Sequence, residues 1–360
     1  MEDFPSFQIV MLDIAMKRSS FTAIIPLYKL PPFLPLKDVQ YLFHQRDNAL
    51  KELQVLSKSI KIAYANGEIK PIKIKFVENI KDNYRDDSFL GQIKKDRFWG
   101  FLKINSTNNF SKEDVLKLCG DTLGEASFQD KVDIYIDLAI QEICKTIYDL
   151  ILCSNISKPG SIQAQSINFF VNGKYRTNNT GMSGNLWEFF LKAKEDGWPP
   201  IDIIDTKIVW AWLNSIPDFK NGLSKAKIGR AIGALSYIMK PISNDETHSI
   251  LIWALLGLEA IYCNGGGYKA QLIQKTDALF GKRETHKKMF GLMYDYRSRL
   301  IHGDIDFPYW HNPYDGSDEY ERFHVELWRA TAMAVNVLLA SLQKMALSNI
   351  SELKFKYIIN

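Results

Sequence analysis

Beyond the stretch IPDFKNGLS the hydrophobic pattern of this chain changes period, and that change constrains the fold more than any other feature. From about Lys225 onward, apolar residues recur at helical spacing almost without a break, over residues 225–239, 244–263, 269–280, 284–302 and 321–346. The links are short and polar or glycine-rich, apart from the loop 303–320. Short helix–helix links favour antiparallel neighbours, so an up-and-down helical bundle is expected. Upstream the texture is mixed. SFQIVML (6–12) and FTAIIPLY (21–28) are β-rich, and 36–56 has helical spacing. Residues 60–77 alternate on both sides of Asn66-Gly67, and 167–177 alternate around Asn172-Gly173; both read as hairpins. Ser111 with Asp114 three residues on predicts a capped helix start, and 131–152 and 205–216 read as helices. NTGMSGN reads as a loop. The expected class is α+β, with a mixed domain over 1–222 and a helical domain over 223–360.

With 360 residues the chain has room for two cores. Its 46% hydrophobic and 24% charged residues are those of an ordinary folded protein. A net charge of +4 does not by itself imply a nucleic-acid partner, so local clusters must carry that argument. Cys119, Cys144, Cys153 and Cys263 are dispersed, without the spacing of a disulfide framework or a zinc knuckle, which fits a reducing cytoplasm. Glu2, Asp3 and Pro5 stand where a signal peptide would carry basic residues. The most apolar run, SILIWALLGLEAIYC, is shorter than the roughly 20 residues of a membrane span and contains Glu259; it reads as a core helix. No membrane association is expected.

The chemistry concentrates in YDYRSRLIHG, at the end of the helical stretch 284–302. Met289, Leu292, Met293, Tyr296 and Leu300 form its core face, with Arg297 on the shoulder. His302 lies five residues beyond Arg297, roughly 140° round an undistorted helix. A joint site therefore requires the helix to end at the histidine, or a second copy to complete it. Gly303 supplies the ending, since glycine is the usual left-handed residue past a helix C-terminus. The last turn, at the negative end of the helix dipole, favours imidazolium. A histidine that shuttles protons beside a fixed guanidinium suits phosphodiester cleavage.

The string Arg297, Ser298, Arg299-Leu300-Ile301, His302, Gly303, closing the penultimate helix after ALLGLEAIY, resembles the HEPN superfamily, and within it the Apea-like branch. The resemblance covers about residues 225–346. Many other HEPN nucleases carry Asn or Asp after the arginine, and many minimal toxins a tyrosine two past the histidine, where Asp304 stands here. The resemblance implies a metal-independent endoribonuclease without cofactor, its site built by two copies across a homodimer. In that picture the 2′-hydroxyl attacks its own phosphate, His302 transfers protons, Arg297 stabilises the developing charge and Ser298 adds a hydrogen bond. It also implies a toxin-like effector in prokaryotic anti-phage defence. The expected partners are RNA, a second copy, and a trigger that is phage-derived or a nucleotide.

Glu259 sits in a helix that is apolar on nearly all sides, where a carboxylate needs a cation. Arg297 and Arg299 are the candidates, with Glu259 orienting Arg297; the alternative is a solvent-facing carboxylate near the helix end. Lys282, Arg283, Lys287 and Lys288, with Arg299, form a candidate RNA-tracking surface, set against a merely solvated helix start. CNGGGYKAQ lacks phosphate-loop spacing, and the acidic loop 303–321 lacks EF-hand spacing. No metal-ligand cluster supports a metal-dependent nuclease. The rival reading is a non-catalytic HEPN module for interaction or nucleotide binding.

Overall fold

The computed structural model describes residues 17–28, 34–78, 98–119, 126–182, 186–222, 225–240, 247–282, 287–304 and 317–355. The mixed half is built on an antiparallel sheet of order β4-β5-β1-β6-β7. Its central strand β1 (Lys17–Tyr28) pairs along its length with β5 (Phe98–Phe110) and, over Phe21–Ile24, with β6 (Ser166–Val171). β6 turns into β7 (Lys174–Thr180) through Asn172 and Gly173, with φ of 50° and 81°. These are the two positive angles that a two-residue hairpin turn needs, and Asn-Gly supplies them cheaply.

The first expected hairpin is only half as long as its alternation suggests. β2 (Lys61–Ala63) and β3 (Ile69–Pro71) pair around Gly67, but their ladder ends at Lys61 opposite Pro71. Proline has no N–H to continue it. β4 (Lys73–Val77) crosses instead to β5, with Lys73 opposite Asn105 and Val77 opposite Phe101. The stretch 6–12 lies outside the described residues.

Helices α1 (Leu36–Leu56), α2 (Lys112–Cys119), α3 (Phe128–Ser157), α4 (Leu186–Asp196) and α5 (Thr206–Ser215) complete this half. Ser111 caps α2: its hydroxyl accepts from Asp114 N–H at 3.1 Å, and Asp114 returns a bond to Ser111 N–H at 2.8 Å. The helical half follows as α6 (Lys227–Ile238), α7 (Thr247–Tyr262), α8 (Tyr268–Phe280), α9 (Lys287–His302) and α10 (Asp318–Leu347). α7 is the apolar SILIWALLGLEAIYC stretch. It packs on α6, α8, α9 and α10, as a core helix should. The fold is α+β with an all-helical C-terminal half.

The change of texture near residue 222 is a change of architecture and not a break in the core. One continuous apolar cluster runs from Phe21 and Ile25 of β1 through Trp212 of α5 to Leu338 and Leu342 of α10. α10 is long and apolar enough by composition to cross a bilayer, yet 89% of its apolar window is buried inside the protein. Its buried polar groups reach into the other half. The Gln343 amide donates to the carbonyls of Ile156 and Asp202, both at 2.8 Å, and Asn336 donates to the Phe189 carbonyl at 2.6 Å. Buried amides of this kind hold register, because an unmatched one is costly.

Candidate functional site

α9 buries Phe290, Met293, Tyr296 and Leu300, with Met289 and Leu292 half-buried beside them. The core face is thus turned slightly from the expected stripe and takes in Phe290. Four polar ties fix the helix. Tyr296 donates to Glu326 of α10 at 2.9 Å. Lys269 of α8 meets Asp295 at 2.5 Å. Glu259 of α7 takes both remaining ties, accepting from the Tyr294 hydroxyl at 3.3 Å and meeting the Arg297 guanidinium at 3.6 Å.

Glu259 does not face solvent. Its side chain is 13% exposed and that of Arg297 24%, so solvent screens the pair only in part. The Arg297 guanidinium also lies 5.8 Å from the Tyr294 ring centroid. Burial, and then the charge of Glu259, push the Tyr294 phenol up to about 12. It therefore keeps its proton at neutral pH and serves as the donor to Glu259. Arg299, the other candidate partner, is exposed and sits over the Tyr296 ring at 5.8 Å.

The helix ends where the sequence places its end. Gly303 is left-handed at φ 77°, and Asp304 N–H returns to the Arg299 carbonyl at 2.8 Å. That is the closing bond of a Schellman turn. It leaves His302 exposed in the last turn, next to Ile301, which is 52% exposed. Ser298 is half-buried between the two. Arg297 turns toward α7, and His302 stands in solvent roughly 140° round the helix and about 7.5 Å further along its axis. One chain thus joins Glu259 to Arg297 but leaves His302 apart from them. Lys287 and Lys288 are exposed at the far end of α9, about 22 Å from His302, and Lys282 is exposed just past the end of α8. Arg283 lies outside the described residues, as does most of the loop 303–321.

Sequence reasoning missed Tyr294. Its spacing three residues before Arg297 puts it on the same face and was signal enough. It also missed a groove between α6 and α7 that Glu259 helps to line. Lys227, Arg230 and Tyr237 of α6 and Trp253, Glu259 and Cys263 of α7 line this opening of about 490 Å³. Burial, and then Glu259, raise the Cys263 thiol to about 11, so it is no nucleophile at neutral pH. The glycine-rich CNGGGYKAQ is a structural loop. Gln271 holds it by donating to the carbonyls of Asn264 and Gly266 at 2.9 and 2.7 Å. Among the described residues no three His, Cys, Asp or Glu side chains gather as a metal site would require. Comparison with protein-family models, with curated proteins and with solved structures finds no match for this chain.

Proposed function

We propose that this chain is a metal-independent endoribonuclease of the HEPN kind, acting in the prokaryotic cytoplasm as a toxin-like effector of anti-phage defence. The observation that carries the reading is the abrupt end of α9. It leaves His302 open at the surface, while Glu259 holds the Arg297 guanidinium in place about one and a half turns earlier. Because the two side chains diverge on one helix, the site is composite, formed by the α9 ends of two copies. The 2′-hydroxyl gives up its proton to His302 and attacks its own phosphorus. The bond to the 5′-oxygen breaks, that oxygen takes up a proton, and a cyclic phosphate remains. Arg297 bears the added negative charge, and Ser298 donates a hydrogen bond to the same phosphate. The exposed lysines at the start of α9 meet flanking RNA. The mixed half senses the trigger, restrains the nuclease or selects RNA.

The test is cleavage of total cellular RNA by purified protein in EDTA. His302→Ala and Arg297→Ala should each lose on the order of 100-fold or more. Equal cleavage by the variants would sink the reading. For a nuclease that needs a trigger, growth arrest on expression under phage challenge, lost in His302→Ala, is the companion measurement.

The Glu259–Arg297 pair also favours a second reading, a non-catalytic module in which the pair only ties α7 to α9. On that reading Arg297→Ala lowers thermal stability, and neither variant alters any RNA.

A further inference from the structure

The α6/α7 groove has no role in the chemistry above, yet its composition is distinctive. Lys227, Arg230, Gly233 and Tyr237 recur at helical spacing along one face of α6, so the groove runs about 15 Å beside that helix. Tyr237 stacks flat against Trp253 of α7, with centroids 4.2 Å apart and planes 7° from parallel. Core aromatics usually pack tilted and hidden, but Tyr237 is 44% exposed. The Lys240 ammonium lies 4.7 Å from the Tyr237 ring. Lys227, at the opposite end, bonds Asn264. The floor between them is open, for a Cβ built on Gly233 meets nothing within 4 Å. Among the described lining residues Glu259 is the one acid, and it is matched by Arg297.

Cations spaced along a groove, with an aromatic platform inside it, are what single-stranded nucleic acid requires. The cations follow the phosphates, and a base lies on the ring face whatever its identity. The wall also carries the apolar Ala234, Leu256 and Ala260, but the rim is basic, whereas a second protein chain would favour a neutral surface throughout. Glu259, the residue that holds Arg297, also lines the groove. We infer that the α6/α7 groove is a binding subsite for single-stranded RNA. A base takes the place of the Lys240 ammonium on the Tyr237 ring, which Trp253 backs on its other face, the displaced Lys240 pairs with phosphates together with Lys227 and Arg230, and the strand continues toward Arg297. The inference rests on the reading of α9 as an RNA-cleaving site and adds how that site receives its substrate.

The experiment measures fluorescence anisotropy of a labelled single-stranded RNA with the full-length chain carrying His302→Ala. Tyr237→Ala and Arg230→Ala in that background should weaken binding roughly ten-fold each. Arg230→Ala should also flatten the salt dependence by about 0.7 in log–log slope, the signature of one lost phosphate contact. Gly233→Phe fills the floor without removing any contact, and it should block binding while the circular dichroism spectrum and Tm hold. Unchanged affinity across all three variants overturns the proposal. So does a change in oligomeric state without a change in RNA affinity, which would make the groove a surface for a second copy. The two readings fail separately. Groove variants that lose RNA binding in a protein that never cleaves leave the groove standing and remove the nuclease. Cleavage with unchanged KM in the groove variants does the reverse.

Discussion

At the scale of single residues, Glu259 shows how a charge in an apolar helix directs attention. Its desolvation had to be offset by a cation, and the structure supplies Arg297 with Tyr294 as a second donor. If that carboxylate aims the guanidinium, Glu259→Gln keeps the shape, loses the charge and should cut RNA cleavage about ten-fold. Tyr294→Phe removes one neutral donor and should cost less. Full cleavage by Glu259→Gln, alongside an inactive Arg297→Ala, would show that the arginine needs no such holder. A second carboxyl poses a different question. Burial drives half-buried Asp149 of α3 up to about 7, against the opposing charges of Lys145 and Lys220. Its ordinary value in an unfolded chain is about 3.9. A raised pKa means that its contribution to stability is whole below about pH 4 and is lost as pH rises through 7. Asp149→Asn should therefore match the parent near pH 4. Above pH 7 it should be more stable by on the order of 1–2 kcal/mol, allowing for solvent screening, or a few degrees in Tm. A flat difference across that window would mean the carboxyl is not the source.

At the scale of elements, period and punctuation made most helices legible. The expected spans of α1 and α9 end within the same turns as the observed ones, because leucine spacing and Gly303 mark them in the sequence. The elements that escaped lack such marks. β5 ends in the polar run NSTNNF and is a strand only because β1 and β4 flank it. α4 has no marked start: its amphipathic WEFFLKAKED lies between a glycine-rich stretch and a proline pair. β4 was assigned to the wrong partner because alternation reports a strand and not its neighbour. In the candidate site, the Arg–His spacing was readable, while the groove was not, since the contact of Tyr237 with Trp253 joins two helices. The end of α9 permits a direct test. A Cβ on Gly303 would touch nothing within 4 Å, so the cost of a side chain there is purely the left-handed backbone. Gly303→Ala should destabilise by about 1–2 kcal/mol. Gly303→Asn should cost less, because asparagine tolerates that conformation. Equal costs in thermal denaturation would mean that the turn, and with it the placement of His302, is set elsewhere.

At the scale of the whole molecule, the contrast between a mixed half and a helical half suggested two domains, and the packing connects them. α10 faces α7 and α9 on one side and α3, α4 and α5 on the other, so its apolar surface belongs to both halves. Asn336 and Gln343, 2% exposed each, find their partners among the described residues in the mixed half. Trp212 of α5 reaches back to donate to the Ile350 carbonyl at 2.8 Å. A segment of 223–360 alone would face water with that side of α10 and leave those amides without protein partners. Each such loss costs about 1–3 kcal/mol, against a total stability of about 5–15 kcal/mol for a typical domain. The full chain should therefore unfold in one cooperative transition, with calorimetric and van't Hoff enthalpies in agreement. The isolated segment should be expanded, bind a hydrophobic dye such as ANS and lack near-ultraviolet circular dichroism. The shared core also gives the mixed half a physical route to α9, since α10 touches α4 through Trp328 and Phe189 and touches α9 through Glu326 and Tyr296. Two separate calorimetric transitions, or a segment that folds with sharp side-chain signals, would show the halves to be independent and would break that route.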